Sequence, residues 1–362
     1  MDFLGRQRRL QASLREHRLD VLLVTHLPNL RYLCGFTGSA GALWVASGSC
    51  IFFTDSRYTE QARAEVQGAK IVIERKALLP SIGAWVVRKH RGRKPMVVGV
   101  EGEHLSWAAS HRLAKAVAGK CRLRQAPLLV ELARQIKDAD EVRAIRGAVE
   151  LGASLFDHAL KILRSGTPEV EVASAMESAA RRAGAEAMSF ETIIAAGPRS
   201  ALPHGRASQA RIPSGGFVVC DFGVILHGYC SDRTRTVWVG SATAKARQSY
   251  QAVLEAQAAA IAAVRPGATV GEVDQAARNV LKKHGLERYF THSTGHGVGL
   301  EVHEAPRVAA GLKERLQPSM VITIEPGVYL SGEWGIRIED MVLVTEKGCE
   351  VLSPGSKEFI AI

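Results

Sequence analysis

From the N-terminus to about residue 125, short apolar runs alternate with stretches of helical period. VLLV (21–24), ALWVA (42–46), CIFFTD (50–55), KIVIE (70–74) and MVVGV (96–100) are continuous rather than alternating. Such runs between helices predict strands covered on both faces, hence an α/β domain. LLPSIGAWVVRK, which leads into the basic run RKHRGRK (88–94), has an amphipathic helical pattern. Glycines at 35, 38 and 41 lack the G-x-G start and the strand-then-helix setting of a nucleotide loop, so RYLCGFTGSAG (31–41) is taken as a turn region.

Near residue 138 the texture changes. Asp138 followed by Glu141 predicts an N-cap with a capping box, opening a long helix toward Leu163. A second helix follows Thr167-Pro168, with the proline in its first turn. Tyr250, Val253, Leu254, Ala258, Ile261 and Val264 recur at helical spacing up to Pro266-Gly267 and predict core packing. Long helices interleaved with strand pairs give an α+β domain. Two domains are expected, 1–128 and 136–362.

Composition narrows the function without naming it. No stretch reaches the roughly 18 apolar residues of a membrane span, and the first twenty hold no secretory apolar region, so a soluble, cytoplasmic protein is expected. The six cysteines show no C-x-x-C spacing, which suits a reducing compartment and makes them poor zinc ligands. The net charge of +11 raises nucleic acid, but no aromatic residue interleaves with the basic run, and a solvated surface is the better reading.

Two segments look like copies of one hairpin. PSGGFVVCDFGVILHGYCSDRTRTVWV (213–239) runs apolar into Asp221 and returns through Asp232; PSMVITIEPGVYLSGEWGIRIEDMVLV (318–344) runs into Glu325 and returns through Glu339. Side by side they would gather four carboxylates in one interior spot. Burying one unpaired carboxylate costs about several kcal/mol, so four are tolerable only around cations, and two divalent ions cancel four charges. These acids could instead cap strands or pair with Arg233, Arg235 and Arg337, a reading that the repeated context disfavours. Between the hairpins, THSTGHGVGLEVHEAPR (291–307) holds His292, His296 and His303, and His296 between two glycines has room to approach a metal.

The motifs D-x-G at Asp221, D-x-T at Asp232, G-H-G-x-G-L-x-x-H-E from Gly295 to Glu304, E-P-G at Glu325 and G-x-R-x-E-D ending in Asp340 resemble the signature set of the pita-bread-fold metallopeptidases. R-Y-L-x-G-F-T-G (31–38) and T-D-x-R-Y (54–58) are similar to the creatinase-like N-terminal domain of that family's Xaa-Pro branch, aminopeptidase P and prolidase. The resemblance implies an α+β pita-bread catalytic domain preceded by a creatinase-like α/β domain, and hydrolysis of the N-terminal Xaa-Pro bond of short peptides with proline second.

It further implies that Asp221 binds one metal, Asp232 and Glu339 bridge both, and His296 with Glu325 complete the other. Manganese comes first, with cobalt or zinc as alternatives for an all-N/O set. A bridging water would be the nucleophile and Glu325 its proton shuttle. His204, in ALPHGR, with His292 and His303 would donate to the developing oxyanion and steer the proton to the leaving amine. An aminopeptidase is expected first and prolidase second; a dipeptidase needs a cation for the substrate carboxylate, which Arg307 or Arg337 could supply. Methionine aminopeptidase would leave the N-terminal domain unexplained. A metal-free creatinase-type hydrolase would not need all five ligands, and a noncatalytic binding protein would have lost some. The family also implies a homodimer.

Overall fold

The computed structural model describes every residue except Arg91, Arg93 and Ala118. Two cations of the basic run therefore lie outside the described residues. The chain divides into two compact units, Met1–Arg134 and Gln135–Ile362. Among the described residues no helix is long and apolar enough to cross a membrane.

The first unit is built on one six-stranded sheet of β1 (Val21–Val24), β2 (Ala42–Ala46), β3 (Ser49–Asp55), β4 (Lys70–Glu74), β5 (Met96–Val100) and β6 (Cys121–Gln125), in the order β4-β3-β2-β1-β5-β6. β1 to β3 form an antiparallel meander, while β4, β5 and β6 join in parallel. The apolar runs become central strands: all of β1 is buried, and Val21, Leu23, Phe53 and Val98 share a core with Ile82 and Val86 of the helix Leu78–Lys89. The segment 31–41 is not all turn. Its first residues end the helix Leu27–Cys34, which stops where Gly35 adopts φ +82°, a conformation glycine enters without steric penalty.

The second unit repeats one theme twice. Helix Ala139–Leu160 starts at the predicted capping box, with the Asp138 side chain accepting from the Glu141 N–H and the Glu141 side chain from the Asp138 N–H. Helix Glu169–Arg182 follows; Pro168 occupies the cap position, one residue ahead of the first turn, where its missing N–H costs nothing. Then come β7 (Ala187–Met188), β8 (Ile193–Ala196), β9 (Gly216–Phe222), β10 (Val224–Leu226), β11 (Tyr229–Cys230) and β12 (Arg233–Val239). In the second copy, helices Ala244–Ala263 and Val270–Lys283 precede β13 (Gly295–Gly297), β14 (Glu304–Val308), β15 (Val321–Ile324), β16 (Gly327–Leu330), β17 (Trp334–Arg337), β18 (Asp340–Val344) and β19 (Cys349–Val351).

The correspondence is close. β8-β9-β12 matches β13-β15-β18, all antiparallel, and each long hairpin carries a small one at its tip, β10-β11 or β16-β17. Even a surface detail recurs: Arg211 Nη1 donates to Gly166 O at 2.7 Å and Arg315 Nη1 to Gly267 O at 2.6 Å, each binding a strand approach to the turn between paired helices. Each copy has its own core. Met176, Val218 and Phe222 are buried in the first, Val253, Val273 and Ile322 in the second. Tyr250, Val253 and Val264 face that second core as the helical spacing predicts, Leu254 and Ile261 pack partly buried against it, and Ala258 is exposed instead.

A candidate metal centre

The carboxylates sit where strands end. Asp221 is the penultimate residue of β9 and lies opposite Thr234 of β12, with Asp232 just before β12. Glu325 directly follows β15 and Glu339 directly precedes β18, whose Asp340 pairs with Ile324. Each copy thus brings two acids to the base of its tip hairpin. His296 is the middle residue of β13, next to β15.

Asp232, His296 and Glu339 each bring a donor atom within 4.8 Å of the others, the one such triad found among the described residues. His296 Nε2 lies 3.5 Å from Asp232 Oδ2 and 3.4 Å from Glu325 Oε1. Its Nδ1 is 3.0 Å from Gly297 O, which can only accept, so the proton belongs on Nδ1 and the Nε2 lone pair faces the acids. Two threonines hold the set: Thr234 Oγ1 donates to Glu339 Oε2 at 2.7 Å, and Thr323 Oγ1 accepts the His296 N–H at 3.1 Å.

The electrostatics fit cations. Burial, then Glu339, Asp221 and Glu325, push the Asp232 carboxyl well above its usual range. Burial, then Glu325 and Asp221, do the same to Glu339. Glu325 is raised to about 8 by burial, with Arg337 pulling it down and Asp221 pushing it up. His296 is pushed down to about 4, chiefly by burial, and stays neutral as a ligand must. Asp221 Oδ1 and Glu339 Oε1 are buried with no hydrogen-bond partner, which leaves the lone pairs of two oxygens unspent at the site. An all-N/O donor set with orphaned carboxylate oxygens suits hard or borderline divalent ions.

Around this cluster lies a cavity of about 540 Å³, lined also by Phe190, Ile193, His204, His292, His303, Glu304 and Arg307. The three histidines differ. His204 and His303 are exposed toward it, and the His303 ring meets that of His296 at a centroid distance of 4.4 Å. The loop carrying His204 is anchored by the fully buried Glu169, which accepts from Ala196 N–H and from Ser208.

His292 departs from the expected donor role. Its Nδ1 is 2.8 Å from Ser293 O, and its Nε2 is 3.0 Å from the Tyr329 hydroxyl, which already accepts from Arg337 Nη1 at 2.6 Å. The Tyr329 proton therefore points at Nε2, and neither nitrogen is left to donate to substrate. Burial, then Arg337, hold the ring neutral, down to about 4.

Arg337 likewise differs from the expected carboxylate dock. It is 3% exposed, and its donors reach Asp221 Oδ2 (2.6 Å), Thr234 Oγ1 (3.0 Å), Pro203 O (3.0 Å) and Tyr329 Oη (2.6 Å). Those bonds occupy its fork inside the protein. Arg307 instead lies exposed at the cavity and makes no ion pair among the described residues. Tyr329 and Glu169 were not singled out from sequence, and Thr234 entered only as the last residue of D-x-T at Asp232. A tyrosine in the apolar strand after Glu325 is the one visible hint.

Residues 143–346 match metallopeptidase family M24, and residues 6–136 match the creatinase/prolidase N-terminal domain. The chain belongs to metallopeptidase family M24. It is 36% identical over 346 residues to the Xaa-Pro dipeptidase of Pyrococcus horikoshii, covering 95% of each chain. It matches the structure of an Xaa-Pro dipeptidase from Bacillus anthracis with a TM-score of 0.95 at 37% identity, over 99% of this chain and 100% of that one. The X-Pro aminopeptidase of Thermotoga maritima matches with a TM-score of 0.88 at 33% identity, over 99% of this chain and 100% of the other. The expected fold and the peptidase class both hold.

Proposed function

We propose that this metallopeptidase hydrolyses the bond between an N-terminal residue and a following proline, using two divalent ions held by Asp221, Asp232, His296, Glu325 and Glu339. The observation that carries the proposal is the pair of orphaned buried oxygens, Asp221 Oδ1 and Glu339 Oε1, in the cavity that also holds the donor triad of Asp232, His296 and Glu339. When bound, the ions supply Lewis-acid polarisation of the scissile carbonyl and lower the pKa of a water.

The chain's own residues do the rest. Glu325, ionised when cations lie beside it, would take the proton from the attacking water and return it to the prolyl nitrogen. His303 and His204, on the open side of the cavity, donate to the carbonyl oxygen as its charge grows. Arg337 fixes Asp221 and, through Tyr329, the His292 ring that walls the site. The prolyl nitrogen carries no N–H, so the site needs no acceptor there and must only leave space for the ring.

The first-choice reading remains an aminopeptidase acting on peptides of several residues. The dipeptidase reading gains from Arg307, an exposed cation at the cavity suited to a terminal carboxylate. Assays of Xaa-Pro dipeptides beside longer Xaa-Pro peptides, after chelation and re-addition of manganese, cobalt or zinc singly, test both parts. No turnover with any metal would overturn the proposal, and turnover of dipeptides alone would select the second reading. A homodimer and a cytoplasmic location complete the proposal; sedimentation as a monomer would count against the first.

A further inference from the structure

Lys137 stands near the start of the second unit with its side chain 1% exposed. Its backbone N–H donates to Ser319 O at 2.9 Å, seating it against the turn before β15. Its Nζ lies 3.4 Å from Glu304 Oε2, on a side chain 7% exposed. Stability alone gives little reason for such a pair, since a well-packed apolar pair is often as stable as a buried ionic one. The other end of the carboxylate supplies a reason.

Glu304 Oε1 accepts the Glu301 N–H at 3.0 Å. Gly299 packs so closely that a Cβ there would stand 2.7 Å from Glu304 Oε2. The loop is cross-braced as well: Gly299 N–H donates to Glu301 O at 3.0 Å, and Cys230 N–H to Gly299 O at 2.8 Å. Residues 299–303 are thus folded over the Glu304 carboxylate as over a peg. That loop ends in His303, set against His296 at the cavity.

We propose that Lys137 is a positioning residue for the hydrolysis: it holds the Glu304 carboxylate beneath the loop 299–303 and thereby fixes His303 at the scissile bond. The inference rests on the peptidase reading above, and one arm of its test needs neither metal nor substrate. In Lys137→Met, kcat falls tenfold or more at saturating metal while KM stays within threefold. Lys137→Arg recovers most of the loss. The double variant Lys137→Met/Glu304→Gln is no slower than Glu304→Gln alone, because both changes act through one carboxylate.

In the chelated protein, hydrogen exchange at the amides of Gly299 and Glu301 quickens tenfold or more in Lys137→Met, while the helix Glu169–Arg182 keeps its protection. Wild-type kcat in Lys137→Met, additive losses in the double variant, or equal quickening in helix and loop would overturn the proposal. Should Lys137→Met fail to fold, Glu304→Gln carries the exchange test with the same expected loop-confined result. Absence of turnover in the unaltered protein would strike the peptidase reading and leave the exchange result standing.

Discussion

Arg337 Nη2 donates to Asp221 Oδ2 at 2.6 Å, placing one guanidinium inside a cage of carboxylates. The bond leaves Oδ1 of the same aspartate for a cation and offsets part of the cage's negative charge. Arg337→Gln should therefore destabilise the metal-free protein by about 3–5 kcal/mol, the usual cost of stripping one partner from a buried pair. Denaturant titration of chelated protein measures it. Metal content after dialysis should fall as well, because Asp221 loses its orientation.

Acidity gives a second expectation. Glu325 is raised to about 8 in the folded metal-free chain, against about 4.3 when unfolded. Between those values the folded state binds the extra proton, so stability falls as pH rises, by up to a few kcal/mol. Glu325→Gln mimics the protonated acid. At pH 5 the parent should melt only slightly below the chelated variant, and by pH 8 well below it. Melting curves at the two pH values in chelator decide it, and equal pH slopes would contradict the argument.

Tyr329 is expected to act by orientation. Its hydroxyl accepts from Arg337 and points its proton at His292 Nε2. Tyr329→Phe removes that proton and leaves the imidazole lone pair buried without a donor, at about 1–3 kcal/mol. Steady-state kinetics should show kcat lowered by about tenfold with KM little changed, on a scale where 1.36 kcal/mol is a factor of ten.

Arg307 separates the two substrate readings. If it binds a terminal carboxylate, Arg307→Ala should raise KM for Xaa-Pro dipeptides by about tenfold or more, the equivalent of one charge-assisted hydrogen bond, and leave longer peptides nearly unaffected. Equal effects on both lengths would assign it another task.

The acids proposed as ligands stood out in the sequence because each breaks a local rule: a carboxylate inside an apolar strand pattern, twice on each hairpin, has no cheap explanation. Strands β1 to β5 were legible for the opposite reason, since continuous apolar runs of four to six residues obey one. What stayed hidden depends on contacts distant in sequence. Arg337 was weighed both as a partner of the acids, which its bond to Asp221 bears out, and as a cation for substrate, because its four partners, at 203, 221, 234 and 329, converge only in the fold. His292 looked like a donor because nothing local announces that a tyrosine 37 positions later takes its second nitrogen. Glu169 stood unremarked after Thr167-Pro168, and Glu304 entered only as the last residue of a motif, although each holds a loop from beneath.

The duplicated plan of the second unit divides ownership of the proposed metal centre. One copy contributes Asp221 and Asp232, the other His296, Glu325 and Glu339, and the triad Asp232, His296 and Glu339 draws on both. Any bound cation would work as a rivet through both halves, so a lesion at either hairpin base would disarm the other, however intact its own core.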